Sequence, residues 1–354
     1  MGEPMKIAFL NFYQNGVSRG LETFVSELSS RLAKNHQVLI LPSPASAWPS
    51  PRELSLPRRF FLDPTSLKVA LWTIKSLAPL SRFQPEIIFS LNGGWQVLLC
   101  SLYCRFSGTK LVIAGQSGPG WDDRWNLLVK PHLFVALTRR QLDWAKQATI
   151  WKQDFALISN GVDLNKFYPA VPTRSPARRG AGKKLKLALE KPIIMMVAAS
   201  TPDKRVEQGI RAVARLKQGS LLLLGQGPLD KSINKLGYKL LGKKRFLHTS
   251  VTHDQMPNYF RNADVFTLCS VGSEAFGIVY LEAMASGLPC VATADSSRRE
   301  IVDGAGIFVK DPDDTDEYAK AIEKALTKKW GNTPRRQAEK FSWDEVAAKY
   351  EKIL

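Results

Sequence analysis

Residues 265–292 read VFTLCSVGSEAFGIVYLEAMASGLPCVA, and this stretch indicates the class of fold. A short apolar run leads through a glycine-containing loop into a segment of helix length, which ends in a second apolar run. Two strands joined by a helix predict a βαβ unit, because neighbouring parallel strands need a long crossover connection. The helix is expected to begin near Gly277.

The same alternation occupies most of the chain. Helix-length segments with one apolar face, such as residues 21–34, separate short apolar runs. Strands are predicted at 6–10, 37–41, 86–89, 110–114, 133–137 and 155–158, and again at 192–197, 221–224, 246–248, 265–268, 289–293 and 306–309. The sequence therefore predicts an α/β protein with two Rossmann-like, doubly wound domains. Ligands of such sheets bind beyond the carboxyl ends of the strands, so facing domains would place a cleft between them.

A length of 354 residues suits two domains of about 150 residues each. We expect the first domain at 1–168, a basic connecting segment at 169–191, and the second domain at 192–334. Six basic residues lie between Arg174 and Lys186, and a helix over 185–189 could lead into the second domain. Residues 335–354 have helical spacing and no strand after them.

The composition is 44% hydrophobic and 23% charged, and no apolar run approaches the roughly 20 residues of a membrane span. Because the N-terminus lacks the features of a signal peptide, a cytoplasmic protein is expected. The four cysteines form no CxxC pair and are expected to be core thiols. The net charge of +18 favours polyanions such as nucleic acid, acidic lipid or phosphorylated substrates. No RNP, helix-turn-helix or zinc pattern supports nucleic acid as a partner.

Two acidic residues flank the predicted helix start at Gly277. Glu274 precedes it, and Glu282 lies about one and a half turns inside the helix. A glycine there lets backbone amides approach a ligand, and the positive end of the helix favours a diphosphate. Carboxylates on either side could hold the hydroxyls of a nucleotide-sugar. For two isolated glutamates, a loop charge and an exposed helix residue would be the simpler interpretation.

The surrounding pattern favours the functional interpretation. Glu274 and Glu282, with Phe276-Gly277, resemble the E-x7-E signature of family 4 glycosyltransferases, which are retaining, metal-independent enzymes of the GT-B fold. Further similarity lies in SNGVDLNKFYP (159–169), LGQGP (224–228), residues 256–266 and FSWDE (341–345). These segments span nearly the whole chain in the family's order. The resemblance implies that residues 335–354 form a helix that packs back on the first domain.

The resemblance also implies site residues. Glu274 would contact the hydroxyls of the donor sugar and act in catalysis with Lys204 and Arg205. Glu282 would bind the ribose, and amides around Gly277 would bind the distal phosphate. The full donor-binding set would be Glu282, Phe276, Gly277, Ile278, Gly20, Gly227 and Val251.

Two departures from the family's pattern concern activity. Ala198-Ala199 stands where the family often has Gly-Arg, and Arg205 is expected to supply the missing cation. Gln116 stands where a histidine is common, so Gln116 and Ser117 are expected on the acceptor side. A glutamine can hydrogen-bond a sugar hydroxyl but cannot act as a base.

The predicted function is therefore retaining, hexosyltransferase-type transfer from a nucleotide-diphosphate sugar to a hydroxyl of a glycan, a lipid-linked molecule or a small molecule. No cofactor and no metal are expected. The alternative is a catalytically silent, transferase-like module that binds nucleotide or polysaccharide. The four histidines, His253 among them, are expected to be structural. Peripheral association with an anionic membrane would use Phe60, Phe61, Leu62 and the basic residues at 174–186, unless the apolar side chains are buried in the first domain.

Overall fold

Parallel strands build the sheet of the first domain in the order β2-β1-β3-β4-β5-β6. The computed structural model describes residues 3–14, 20–44, 61–170, 185–270 and 275–354. The strands are β1 (Lys6–Asn11), β2 (Gln37–Pro42), β3 (Ile87–Ser90), β4 (Lys110–Ala114), β5 (Leu133–Ala136) and β6 (Asp154–Leu157). The helices between them are α1 (Gly20–Leu32), α2 (Pro64–Phe83), α3 (Trp95–Ser107), α4 (Trp121–Leu128) and α5 (Arg139–Ala148).

This sheet is covered on both faces, which explains why its strands read as continuous apolar runs. Alternate residues of β1 enter different cores. Phe9 belongs to one core, where its ring stacks on Phe89 at 4.6 Å, and Leu10 belongs to the other. Helix α1 contributes to the first core, whereas α2 and α3 contribute to the second.

The second domain repeats the architecture with strand order β12-β11-β10-β7-β8-β9. Its strands are β7 (Ile193–Val197), β8 (Ser220–Leu224), β9 (Phe246–Thr249), β10 (Val265–Leu268), β11 (Cys290–Thr293) and β12 (Gly306–Val309). Its helices are α6 (Val206–Arg215), α7 (Asp230–Arg245), α8 (Met256–Phe260), α9 (Ile278–Ala285), α10 (Ser296–Val302), α11 (Thr315–Thr327) and α12 (Thr333–Glu339). Every predicted strand is present within about one residue of its predicted bounds, and the doubly wound, parallel architecture of both domains is confirmed.

The end of the chain divides between the two compact units. The first unit comprises Met1–Asn160 and Trp343–Leu354, and the second comprises Gly161–Ser342. Helix α13 (Trp343–Glu351) packs on α1, with Phe24 against Trp343 and Tyr350 at ring-centroid distances of 6.1 and 6.0 Å. The expected return of the last helix to the first domain is therefore confirmed for α13.

The boundaries differ in detail from those expected. Residues 335–354 form two helices, and α12 stays with the second unit, where the Arg335 guanidinium donates to the carbonyl oxygens of Leu164 and Phe167. Val162 forms a bridge with Ser342, so the second unit begins at Gly161 rather than after 168.

The expected helix at 185–189 is wrong, because residues 185–190 have no helical structure. Pro192 follows closely, and the residue before a proline disfavours the helical conformation. Most of the basic connecting segment, residues 171–184, lies outside the described residues.

The cysteines and the possible membrane-spanning helices are also the subject of expectations from composition. All four cysteines are buried and unpaired, and burial raises the pKa of the Cys100 thiol to about 12. No helix among the described residues is both long enough and apolar enough to cross a membrane.

Candidate functional site

The second sheet places its polar loops around the point where its strand order reverses. Strands β10 and β7 are neighbours, and the chain runs from β7 toward β9 on one side and from β10 toward β12 on the other. Such a switch point opens a crevice beyond the carboxyl ends of the two strands. Lys204 follows β7 and the start of α9 follows β10, so both predicted phosphate-binding elements flank this crevice.

Two glycines fix the floor of the neighbouring loop after β8. A Cβ atom on Gly225 would lie 1.9 Å from the carbonyl oxygen of Ala198, and one on Gly227 would lie 2.6 Å from that of Ser200. Only glycine permits this approach of two backbones. Val251 lies in the next loop, after β9, at the same edge of the sheet.

Lys204 and Arg205 differ in their surroundings, although they are adjacent and both partly buried. The ammonium group of Lys204 lies 3.6 Å from its neighbour Asp203. Arg205 forms an ion pair with Asp313, a residue of the turn that precedes α11, and Gln208 donates to the same carboxylate. A diphosphate that contacts Arg205 would therefore either displace the Asp313 carboxylate or bind beside it.

Helix α9 starts at Ile278, directly after Gly277, whose φ of 84° is in the left-handed region. The predicted helix start is confirmed. The first amides of a helix have no partner within it, so those near Gly277 are available to an anion. Phe276 is buried and packs near Phe341 at a ring-centroid distance of 6.4 Å. Glu274 lies outside the described residues.

Glu282 is the most informative residue of the site. Its side chain is 3% exposed, so the interpretation as an exposed helix residue is wrong. One carboxylate oxygen, Oε1, lies 2.6 Å from Nε2 of His253. The other, Oε2, is buried and has no hydrogen-bond partner among the residues that the structure describes. A buried carboxylate oxygen without a partner is costly, and a ligand hydroxyl would satisfy it.

His253 is held from its other side by Lys166. The Lys166 ammonium lies 3.1 Å from Nδ1 of His253 and 2.7 Å from an oxygen of Asp254. Because an ammonium group can only donate, Nδ1 must accept, and the ring proton is on Nε2. His253 therefore donates to Glu282. The separate hydrogen bond from Lys166 to Asp254 holds the pKa of the Asp254 carboxyl below its ordinary value.

Gln116 and Ser117, the residues expected on the acceptor side, lie in the loop after β4. Gln116 and Asn160 exchange two amide hydrogen bonds of 3.1 and 3.0 Å, which tie the loop after β4 to the loop after β6. Gln116 keeps one N–H and one lone pair for another partner. Ser117 is exposed. Gly20 is exposed and begins α1, so its predicted position at a helix start is confirmed.

A cavity of about 320 Å³ lies at the reversal point of the first sheet, between the loops after β1 and β3. Polar and aromatic side chains line it together. They include Tyr13, Glu22, Asn92, Trp95, Ser117 and Asp122. Carboxylates with aromatic rings suit a hydroxyl-rich ligand, because the carboxylates accept hydrogen bonds and the rings cover apolar faces.

Two residues of the predicted membrane contact are described. Phe61 packs near Trp125 at 5.0 Å and accepts a hydrogen bond from Trp95, whereas Leu62 is 66% exposed. Phe60 and the basic residues up to Lys184 lie outside the described residues, so membrane association stays a prediction.

A buried acid also lies in α4, the helix that follows the loop after β4. Asp123 is fully buried, and burial raises its pKa to about 7. Gln141 donates to one of its oxygens at 2.7 Å and Asn126 to the other at 3.2 Å. Both oxygens of this carboxyl group are therefore bonded within the protein.

Sequence reasoning missed Lys166 and treated His253 as structural. Lys166 belongs to the family-like stretch 159–169, and His253 lies just before the family-like stretch 256–266. Their contact joins residues 87 positions apart. In the described part of the chain, no group of three or more His, Cys, Asp or Glu residues is placed to hold a metal ion.

Comparison with known sequences identifies a family. Residues 179–341 match the family described as glycosyl transferases, group 1. This match covers the second domain, and the two Rossmann-like domains have the GT-B fold. The sulfoquinovosyl transferase SQD2 of Arabidopsis thaliana is 24% identical over 300 residues, 77% of this chain and 57% of that protein.

Two further relatives point in the same direction. A GDP-mannose-dependent monoacylated alpha-(1-6)-phosphatidylinositol monomannoside mannosyltransferase of Corynebacterium glutamicum is 28% identical over 178 residues, 48% of this chain and 46% of that protein. The chain thus spans about half the length of these curated relatives. HepE of Anabaena, solved in complex with UDP and glucose, shares the fold, with a TM-score of 0.74 at 17% identity over 99% of both chains.

Proposed function

We propose that the protein transfers a sugar from a nucleotide-diphosphate sugar to an acceptor hydroxyl with retention of the anomeric configuration. The observation that carries this proposal is the buried, unpartnered Oε2 of Glu282 beside the start of α9. It supplies an acceptor for a ribose hydroxyl next to amides that suit a diphosphate. The family of the second domain and the UDP bound by HepE support the same donor class.

The donor would lie along the carboxyl edge of the second sheet. The hydrogen bond from His253 to Oε1 fixes the orientation of the Glu282 carboxylate, and Oε2 would then accept from a ribose hydroxyl. The diphosphate would bind at Gly277 and near Lys204, where a cation offsets the charge that develops on the leaving group. Glu274, from the family resemblance, would bind the transferred sugar.

The reaction then needs few groups from the protein. The bond between the anomeric carbon and the diphosphate oxygen breaks, and the acceptor oxygen forms a bond on the same face of the sugar. The proton of the acceptor hydroxyl passes to the departing phosphate oxygen, which leaves as the nucleoside diphosphate. Catalysis by orientation and by stabilisation of the leaving diphosphate requires no histidine at the position of Gln116.

We propose that the acceptor binds in the first-domain cavity. Glu22 and Asp122 contribute carboxylates to its lining, and Tyr13 and Trp95 contribute aromatic rings. These groups favour a sugar or another polyol as the acceptor.

Calorimetry with UDP-glucose and GDP-mannose tests the donor site. One of them is expected to bind the intact protein, and Glu282→Ala should weaken its binding. Turnover is then measured with sugar and polyol acceptors, with NMR of the anomeric proton reporting retention. Binding of a donor without transfer or hydrolysis would instead support the silent, nucleotide-binding module. No binding of any nucleotide-sugar would overturn both functions.

A further inference from the structure

A second, larger cavity lies at the opposite edge of the first sheet. Its volume is about 730 Å³, and its lining residues directly precede β5 and β6 or begin β6, except for Arg105, which lies in the last turn of α3. Residues at the amino ends of parallel strands lie across the sheet from the loops that follow the carboxyl ends. This cavity is therefore separate from the candidate acceptor cavity, whose residues follow β1, β3 and β4.

Three cationic side chains converge on this cavity. Arg105, Lys130 and Lys152 all line it, all are exposed, and Asp154 is the acidic residue among the lining. Within the described residues, none of the three cations has an ion pair with a carboxylate. Three like charges around one cavity repel each other, and one carboxylate leaves an excess of two positive charges.

One uncharged polar side chain of the lining also lacks partners. The amide nitrogen and oxygen of Gln153 are both buried, and neither has a hydrogen-bond partner within the described parts of the chain. His132 accepts a hydrogen bond from the backbone N–H of Leu111 at Nδ1, so neutral His132 carries its proton on Nε2. The cavity thus offers N–H donors in addition to its cations. A buried amide with no partner is costly unless a bound molecule satisfies it.

An aromatic ring covers part of the same cavity. Trp151 is 44% exposed and is fixed by a hydrogen bond of 3.0 Å from its indole N–H to the carbonyl oxygen of Leu128. The ammonium group of Lys130 lies 5.8 Å from the indole centroid. Lys130 holds this position with a φ of 55°, a conformation in which a glycine would be less strained.

We propose that this cavity binds an organic phosphate ester. A phosphate monoester carries about −1.5 to −2 charges at neutral pH, which matches the excess of positive charge, and its oxygens accept hydrogen bonds from Gln153 and His132. The volume lies in the range of ligand pockets and exceeds what a phosphate group alone would fill. The organic part packs on Trp151. The ester is either a free phosphorylated sugar or the headgroup of an anionic phospholipid.

Two variants separate ligand binding from folding. Lys130→Gly removes one cation and relieves the left-handed backbone, so the fold is expected to be retained. Gln153→Leu removes the unpartnered amide, so the free protein is expected to gain thermal stability. Lys75→Gln, an exposed residue of α2 outside the cavity, is the matched control for the loss of one charge.

Binding to the full chain is measured with two probes. Glucose 6-phosphate is titrated by calorimetry with excess UDP present, so that binding at the donor edge does not contribute. Sedimentation uses vesicles of phosphatidylcholine with and without phosphatidic acid, whose headgroup is a phosphate monoester. Either probe is expected to bind, with a dissociation constant raised about tenfold or more in Lys130→Gly and Gln153→Leu and unchanged in Lys75→Gln.

The pattern of binding identifies the source of the ester. Binding of glucose 6-phosphate alone indicates a soluble phosphorylated sugar, and binding to phosphatidic acid vesicles alone indicates a lipid headgroup. The proposal is overturned if neither probe binds at millimolar concentration or if both cavity variants bind as the intact protein does. Either of these results leaves the proposed transfer reaction unaffected, because Glu282 and its partners belong to the other domain.

Discussion

Two buried carboxylic acids, Asp123 in the first domain and Glu282 in the second, lie near the carboxyl edges of the two sheets and differ in one respect. Asp123 in the first domain receives hydrogen bonds on both oxygens, from Gln141 and Asn126. Within the described part of the chain, Glu282 in the second domain is bonded on Oε1 alone, and its Oε2 is buried without a partner. Burial by itself therefore does not distinguish a structural acid from a binding acid. The hydrogen bonds that each carboxylate oxygen makes distinguish the two kinds of acid.

The comparison extends to the neighbouring loops. In the first domain, Gln116 and Asn160 pair with each other and fix two loops. In the second domain, Lys166 and His253 form a chain of hydrogen bonds that ends at the oxygen of Glu282 and leaves the other oxygen for a ligand. The second domain thus leaves one buried carboxylate oxygen, Oε2 of Glu282, without a partner among the described residues, whereas Gln116 and Asn160 of the first domain bond to each other.

The largest effect is expected at Lys204, the cation proposed to face the diphosphate. Lys204→Ala should lower kcat by about 100- to 1000-fold, the loss typical of removing one group that stabilises transition-state charge. Arg205→Ala is the neighbouring control, because Arg205 is engaged by Asp313. Steady-state kinetics with the identified donor measures both. An equal loss in the two variants would restore Arg205 as a second catalytic cation, and no loss in Lys204→Ala would remove Lys204 from the mechanism.

The next effect is expected at Glu282. Glu282→Ala removes the acceptor for the ribose hydroxyls and should raise the donor dissociation constant by about ten- to a hundredfold, since one hydrogen bond to a charged group contributes about 1.5–3 kcal/mol. Calorimetry with the donor and with the free nucleoside diphosphate measures the change. A donor that binds Glu282→Ala unchanged would show that the unpartnered oxygen is not a ligand site.

A smaller effect is expected at His253, which orients Glu282 without touching the donor. His253→Ala should raise the donor KM by about three- to tenfold, the loss of one moderate hydrogen bond, while kcat changes little. His253→Gln should restore most of the affinity, because its amide N–H can replace the Nε2–H donor. If the glutamine variant is no better than alanine, His253 supports the site by packing rather than by this hydrogen bond.

These residues show what the sequence could and could not reveal. The strands were predictable because doubly buried strands are continuous apolar runs, as in the residues of β7 and β8. The position of Glu282 followed from its spacing to Glu274 and Gly277. Its orientation did not, because it depends on a contact between Lys166 and His253, which periodicity cannot predict. The division of the chain at Gly161 was missed for the same reason, since Val162 pairs with Ser342 far along the chain.

The smallest effect on donor binding is expected at Asp123, because its oxygens are already bonded within the first domain. Its raised pKa of about 7 instead makes the free energy of unfolding depend on pH. Between the ordinary pKa of an aspartate and pH 7, the folded protein holds a proton that the unfolded chain releases, so stability falls as pH rises through this range and levels off above it. Each unit between the two pKa values corresponds to about 1.4 kcal/mol, an upper bound for a site that can relax.

Asp123→Asn should therefore flatten the pH dependence of urea unfolding between about pH 4 and pH 7 while leaving the donor dissociation constant within about twofold. Asp143→Asn, at an exposed position of α5, is the matched control and should keep the slope of the intact protein. A donor affinity that falls as far in Asp123→Asn as in Glu282→Ala would show that a saturated carboxyl group can also serve the ligand. The contrast between the two buried acids would then lose its meaning, because hydrogen-bond saturation would no longer separate the acid that supports a loop from the acid that binds a substrate.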